Sequence, residues 1–218
     1  MITRRWGRIS IALMLGVIAA PSIAHGQQRS PNEPAVAAYA TFGRMNFAAG
    51  KTFDAVLGDS SFPIYGAGAR ISSGHLFFDF GAWRFEETGE RVFVFEDQVY
   101  PLGIPLTVTA IPVEFTAGWM FHFKSVPRMT PYLAGGLTSM RYREESDFST
   151  RFENDDRTFN GFLARGGIEF KILKWVGVAT EAVWSSIPDA IGTGGVSENY
   201  KETDLGGTSF RFKVVIGR

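Results

Sequence analysis

The chain has 218 residues, and its 22 basic and 22 acidic side chains cancel. That balance provides no global field to draw a polyanion, so no nucleic-acid partner is expected. The absence of cysteine excludes a disulfide framework and a thiolate metal site, while 25 glycines and 20 phenylalanines favour strands over long helices.

Residues 1–26 read as a secretory signal peptide. Arg4, Arg5 and Arg8 precede an apolar run from Ile9 to Ala20, and small residues follow at Ser22-Ile23-Ala24 or Ala24-His25-Gly26. That run is shorter than the roughly 20 residues a membrane-spanning helix needs. Residues 27–35 form a polar, proline-containing lead-in expected to lie in the periplasm, and residues 36–218 form one domain. Strands are predicted over 36–47, 62–72, 75–87, 106–123, 130–145, 158–172, 175–186 and 205–217, from apolar and polar residues that alternate with period two. In the last strand Phe210, Phe212, Val214 and Ile216 share one face, and Ser209, Arg211 and Lys213 the other. Short connections at 73–74, 124–129 and 173–174 alternate with long ones at 48–61, 88–105, 146–157 and 187–204. Within the long ones, 48–57 suits a helical turn or two, and Arg91 to Phe95 suits a hairpin that extends beyond the wall. This cadence predicts an all-β, closed antiparallel up-and-down transmembrane β-barrel of eight strands. Ten strands would require splitting the Arg91 hairpin into wall strands, and a soluble lipocalin-type barrel has the same alternation with its faces reversed.

Three features favour the apolar face outward. The polar parity is rich in glycine (Gly66, Gly68, Gly81, Gly118, Gly135, Gly161, Gly167 and Gly177), which suits a narrow lumen. It also carries both signs of charge, which can pair there. The candidate lumen network is Arg70, Asp79, Glu114, Arg141, Arg165, Glu169, Glu181, Arg211 and Lys213, with Arg44 on the same parity. Finally, Trp119, Phe121, Phe123, Tyr132, Trp175 and Trp184 fall near strand ends, where an aromatic girdle meets lipid headgroups.

Residues 36–218 resemble the small outer-membrane β-barrel domains related to OmpA, OmpX and OmpW. The resemblance is carried by Pro131-Tyr132-Leu133-Ala134-Gly135-Gly136-Leu137, the glycine-rich alternating strands and the amphipathic last strand. It implies an outer-membrane location with periplasmic termini and extracellular long loops. The implied partners are outer-membrane lipid and lipopolysaccharide, the barrel-assembly machinery, and an unidentified loop partner. It also implies a non-enzymatic role, structural or interactive; the alternative is a narrow pore or a conduit for small or apolar solutes.

The remaining motifs carry no chemistry in this reading, and no cofactor or metal is expected. Gly50-Lys51-Thr52 lacks the first glycine of a phosphate loop, because Met45 stands there. Ser60 has no base in reach, since His75 and His122 fall at the opposite strand ends. His122 reads as a structural lumen residue with no second histidine clearly facing it. The acidic segment from Glu144 to Asp156 reads as a solvated loop that could attract a divalent cation.

Overall fold

A computed structural model of the chain describes residues 34–96, 98–146 and 155–217. The predicted signal peptide and most of the lead-in lie outside these residues, as do Asp147 and Glu153 of the acidic segment. Eight strands form the wall: β1 (Ala35–Phe47), β2 (Ser61–Ser73), β3 (Leu76–Phe95), β4 (Gln98–Met120), β5 (Met129–Glu145), β6 (Asp155–Lys171), β7 (Val176–Ser186) and β8 (Gly207–Gly217). Each is antiparallel to the next, and β8 pairs back onto β1 from Ala37↔Gly217 to Phe47↔Gly207, which closes the barrel. Closure leaves no unpaired sheet edge in the wall.

Short turns gather at one end of the barrel, the turn end. The loop end holds the longer connections, including α1 (Gly50–Leu57) and α2 (Gly195–Asn199). The long connection over 88–105 carries the hairpin expected at Arg91 to Phe95, with β3 continuing to Phe95 and β4 starting at Gln98. The β3–β4 ladder runs on to Phe95↔Gln98, with a register shift between Glu90 and Val92. Pairing of β2 with β3 stops at Tyr65↔Arg84, so the upper hairpin stands clear of β2 and the wall keeps eight strands.

The faces are inverted relative to a soluble protein. Phe80, Phe115, Leu137, Phe162, Phe210 and Phe212 point outward and are exposed, Leu137 by 68%. Aromatic pairs such as Phe42–Phe212, with ring centroids 5.7 Å apart, lace this belt across strands. Arg70, Asp79, Glu114, Arg165, Glu181, Arg211 and Lys213 are buried inside. An outer face of this kind is stable when lipid covers it, since each apolar Å² removed from water contributes about 25 cal/mol. Among the described residues no helix is long and apolar enough to cross a membrane.

Candidate functional site

The barrel interior has two layers. Around mid-height lie four cations (Arg70, Arg165, Arg211 and Lys213) and four anions (Asp79, Glu114, Glu169 and Glu181). β2, β3, β4, β6, β7 and β8 supply them, each from the inward parity of its strand. Asp79 lies 3.2 Å from Arg70 and 2.7 Å from Arg165. Arg70 also reaches Glu169 at 2.8 Å, and Lys213 reaches Glu181 at 2.9 Å. Arg211 grips Glu114 with two bonds of 2.8 Å, while the Trp83 indole donates to the same carboxylate at 2.7 Å. A buried ion costs several kcal/mol unless it is paired, and the equal number of each sign meets that demand.

Neutral donors from the same parity complete the layer. The Tyr39 hydroxyl donates to Asp79 at 2.6 Å, the Tyr132 hydroxyl donates to Glu181 at 2.9 Å, and Arg165 bonds Thr116. Lys213 sits 4.2 Å from the Tyr39 ring centroid, and Arg70 lies over Phe77 and Tyr132. The inward glycines make room for these rings. A Cβ on Gly68 would stand 2.3 Å from the Tyr39 hydroxyl, and one on Gly81 2.5 Å from it.

Towards the loop end the interior becomes apolar. Met45, Phe47, Phe62, Ile64, Trp83, Phe85, Leu106, Val108, Met140 and Tyr142 form one buried cluster. Phe53 of α1 drops into this mouth and stacks on Phe47 with centroids 4.1 Å apart. Two carboxylates hold the lid in place. Glu202 accepts from the Lys51 and Thr52 backbone N–H groups at 3.1 and 2.8 Å, which occupies the α1 N-terminus. Asp204 accepts from the Ile187 and Gly206 N–H groups, each at 2.6 Å, and from the Ser186 hydroxyl at 2.7 Å. Between α1, the β3–β4 hairpin, β5 and α2 lies a cavity of about 340 Å³, lined by Phe53, Val56, Val92, Leu102, Tyr142 and Gly194, among others.

Several expected positions differ. Arg141 is outside the lumen: 59% exposed, it pairs with Asp156 through bonds of 2.8 and 2.6 Å. Even-numbered residues of β5 face inward, as Tyr132, Thr138, Met140 and Tyr142 show, so Arg141 projects outward. Arg44 is likewise outside, donating to the Ser61 carbonyl at 2.6 Å. Tyr132 belongs to the lumen rather than the girdle, and Gly135 faces out. Trp119, Phe121, Phe123, Trp175 and Trp184 are exposed as a girdle requires. In the acidic segment, Glu145 pairs with Arg143 at 2.7 Å and Glu144 accepts from the Tyr142 hydroxyl at 2.7 Å. Among the described residues no group of three His, Cys, Asp or Glu side chains could hold a metal ion.

At the turn end His122 does face a second histidine: its Nδ1 lies 3.3 Å from the Nδ1 of His75. Burial first, then His75 and Lys171, hold the His122 imidazole below its ordinary pKa, with Glu169 opposing. The sequence separation of 47 residues hid this pair, because a strand pairing brings it together.

No protein-family model matches the chain, and no curated protein does. Solved structures are similar in fold. Neisserial surface protein A (NspA) superposes with a TM-score of 0.54 at 14% identity, covering 86% of this chain and 97% of that one. The N-terminal β-barrel domain of Pseudomonas aeruginosa OprF gives 0.46 at 10% identity, covering 84% and 97%. Ail, the attachment invasion locus protein of Yersinia pestis, gives 0.45 at 11% identity, covering 85% and 97%. The chain thus has the fold of the small eight-stranded outer-membrane β-barrels.

Proposed function

We propose that this protein is a non-enzymatic outer-membrane barrel, closed through its lumen, that acts through the surface at its loop end. The observation that carries this reading is the double obstruction of the interior. The ion network crosses the middle, and above it the apolar cluster with Phe53 fills the mouth. The loop end also presents exposed Phe93, Phe95, Tyr100 and Leu102 on a hairpin that stands free of β2, a surface suited to a macromolecular partner. Short turns at one end and long connections at the other support an orientation with periplasmic termini and extracellular loops. Lipid and lipopolysaccharide would then surround the wall, and the barrel-assembly machinery would insert it. Refolded mature chain in planar bilayers is expected to show no discrete conductance steps, while its unheated gel band migrates as a folded barrel. Steps from folded protein would reject the closed lumen.

The cavity of about 340 Å³ favours a second reading, uptake of a small apolar solute at the outer rim. Gly194 lines it with an extended backbone (φ 175°), and a Cβ there would meet nothing within 4 Å. Gly194→Trp should therefore fill the space without backbone strain. If the cavity binds apolar solutes, partition of a solvatochromic dye into the folded barrel falls several-fold in this variant. An unchanged dye signal leaves the loop-surface reading alone.

A further inference from the structure

We propose that His75 and His122 together form a binding site for a divalent transition ion of the zinc type at the turn end of the barrel. The argument begins with where the chain puts them. His75 occupies the turn between β2 and β3, and His122 follows the end of β4. Pairing of Leu76 with Trp119 and of the Met120 N–H with the His75 carbonyl (2.7 Å) sets these two rims side by side. Both imidazoles are exposed, so an ion can reach them.

The separation of the two nitrogens fits a metal. Zinc–imidazole bonds of about 2.0–2.1 Å in a tetrahedral array put two ligand nitrogens about 3.3–3.4 Å apart. The two Nδ1 atoms are 3.3 Å apart. His75 is held from outside the pair. The His75 ring stacks on Trp119 with centroids 5.2 Å apart and planes 4° from parallel, and its Nδ1 lies 2.7 Å from the Met120 carbonyl oxygen.

Without metal the two rings share one proton between them and the Met120 carbonyl. A single proton on the His75 Nδ1 faces two acceptors, the Met120 carbonyl and the His122 Nδ1. With both rings protonated only on Nε2, both Nδ1 lone pairs are available to an ion, which would take the place of the His75 hydrogen bond to the Met120 carbonyl. Imidazole nitrogens suit zinc, copper(II) and nickel(II) rather than magnesium or calcium. Glu169 and Lys171 of β6 place charges of opposite sign near His122, so neither a strong pull nor a strong repulsion acts on the ion.

The test uses refolded mature protein without a histidine tag, titrated with zinc against a chromogenic chelator in detergent. One zinc per chain is expected. His75→Ala and His122→Ala should each weaken binding by about tenfold or more, since even a lost supporting contact costs a metal site about 10–100-fold. A heat-modifiable gel shift shows that each variant has folded. In the unmutated protein, zinc should also protect both imidazoles from carbethoxylation, a readout that needs no substitution. Absence of saturable binding, binding that survives the double substitution, or carbethoxylation indifferent to zinc would each overturn the site.

Discussion

Replacing Glu114 by alanine should lower the stability of the folded barrel by about 3–5 kcal/mol, the cost of breaking a buried ion pair by removing one partner. Glu114 accepts both bonds of Arg211 and that of the Trp83 indole, and each of the three residues is nearly inaccessible. Without it, Arg211 keeps a 3.8 Å approach to Glu181, its bond to Ser209 and its place over the Trp83 ring. The charge layer would then hold one cation too many in a space with little water. Removing both partners tells a different story. Glu114→Leu with Arg211→Met restores the balance of charge, and apolar replacements of similar volume are often neutral or stabilising. The double variant should therefore recover most of the loss, as read by equilibrium urea unfolding with the gel shift as the folding signal. A single variant that costs less than about 1 kcal/mol would instead match a solvent-screened pair. That outcome would mean water reaches Glu114, and it would move the functional reading from a closed barrel to a pore.

The sequence puts both residues on the lumen parity without pairing them with each other, and the reason limits what else is legible. In β8 the alternation of Phe210, Phe212 and Val214 with Ser209, Arg211 and Lys213 keeps one polarity over the whole strand, so parity and burial agree. In β1 and β5 the polarity reverses along the strand while the parity continues. Near the loop end, inward positions become apolar (Met45, Phe47, Met140 and Tyr142), and outward positions become charged (Arg44, Arg141 and Arg143). There the outer face turns from apolar to charged, as it would on leaving lipid for water in the proposed reading, and the inner face has left the ion layer for the Phe53 cluster. A rule that puts every charge inside fails at that height, and so misplaces Arg141 and Arg44 in the lumen. Tyr39, Trp83 and Thr116 shared the parity of the charged residues but carried no charge to draw notice. Glu202 and Asp204 lie in a loop where alternation has no meaning, and only coordinates show which backbone N–H groups they cap.

The same reversal marks where the lipid belt of the proposed reading would end, and makes it testable. Leu137 lies below the height of Arg141 and Arg143, opposite Phe115 on β4 and Phe162 on β6, and all three side chains point outward. Leu137→Arg should destabilise the barrel in bilayers by about 2–4 kcal/mol, the cost of a lipid-facing arginine near the midplane. At Arg143 the reverse change, Arg143→Leu, should shift stability by about 1 kcal/mol or less, because that side chain pairs with Glu145 in water beyond the belt, whereas inside the belt its removal would stabilise the barrel by about 2–4 kcal/mol. Reversible unfolding in lipid vesicles reads both. A soluble barrel would respond in the opposite sense, since arginine in place of an exposed leucine removes apolar surface from water and raises solubility. Detergent-free solubility of the Leu137→Arg protein, with stability at or above that of the unmodified chain, would therefore reject the membrane reading. A loss near the stated size at Leu137, together with little change at Arg143, would place the hydrocarbon boundary between them. The closed ion layer would then lie within the membrane, and the helix-capped mouth above it would face outward as the surface available to partners.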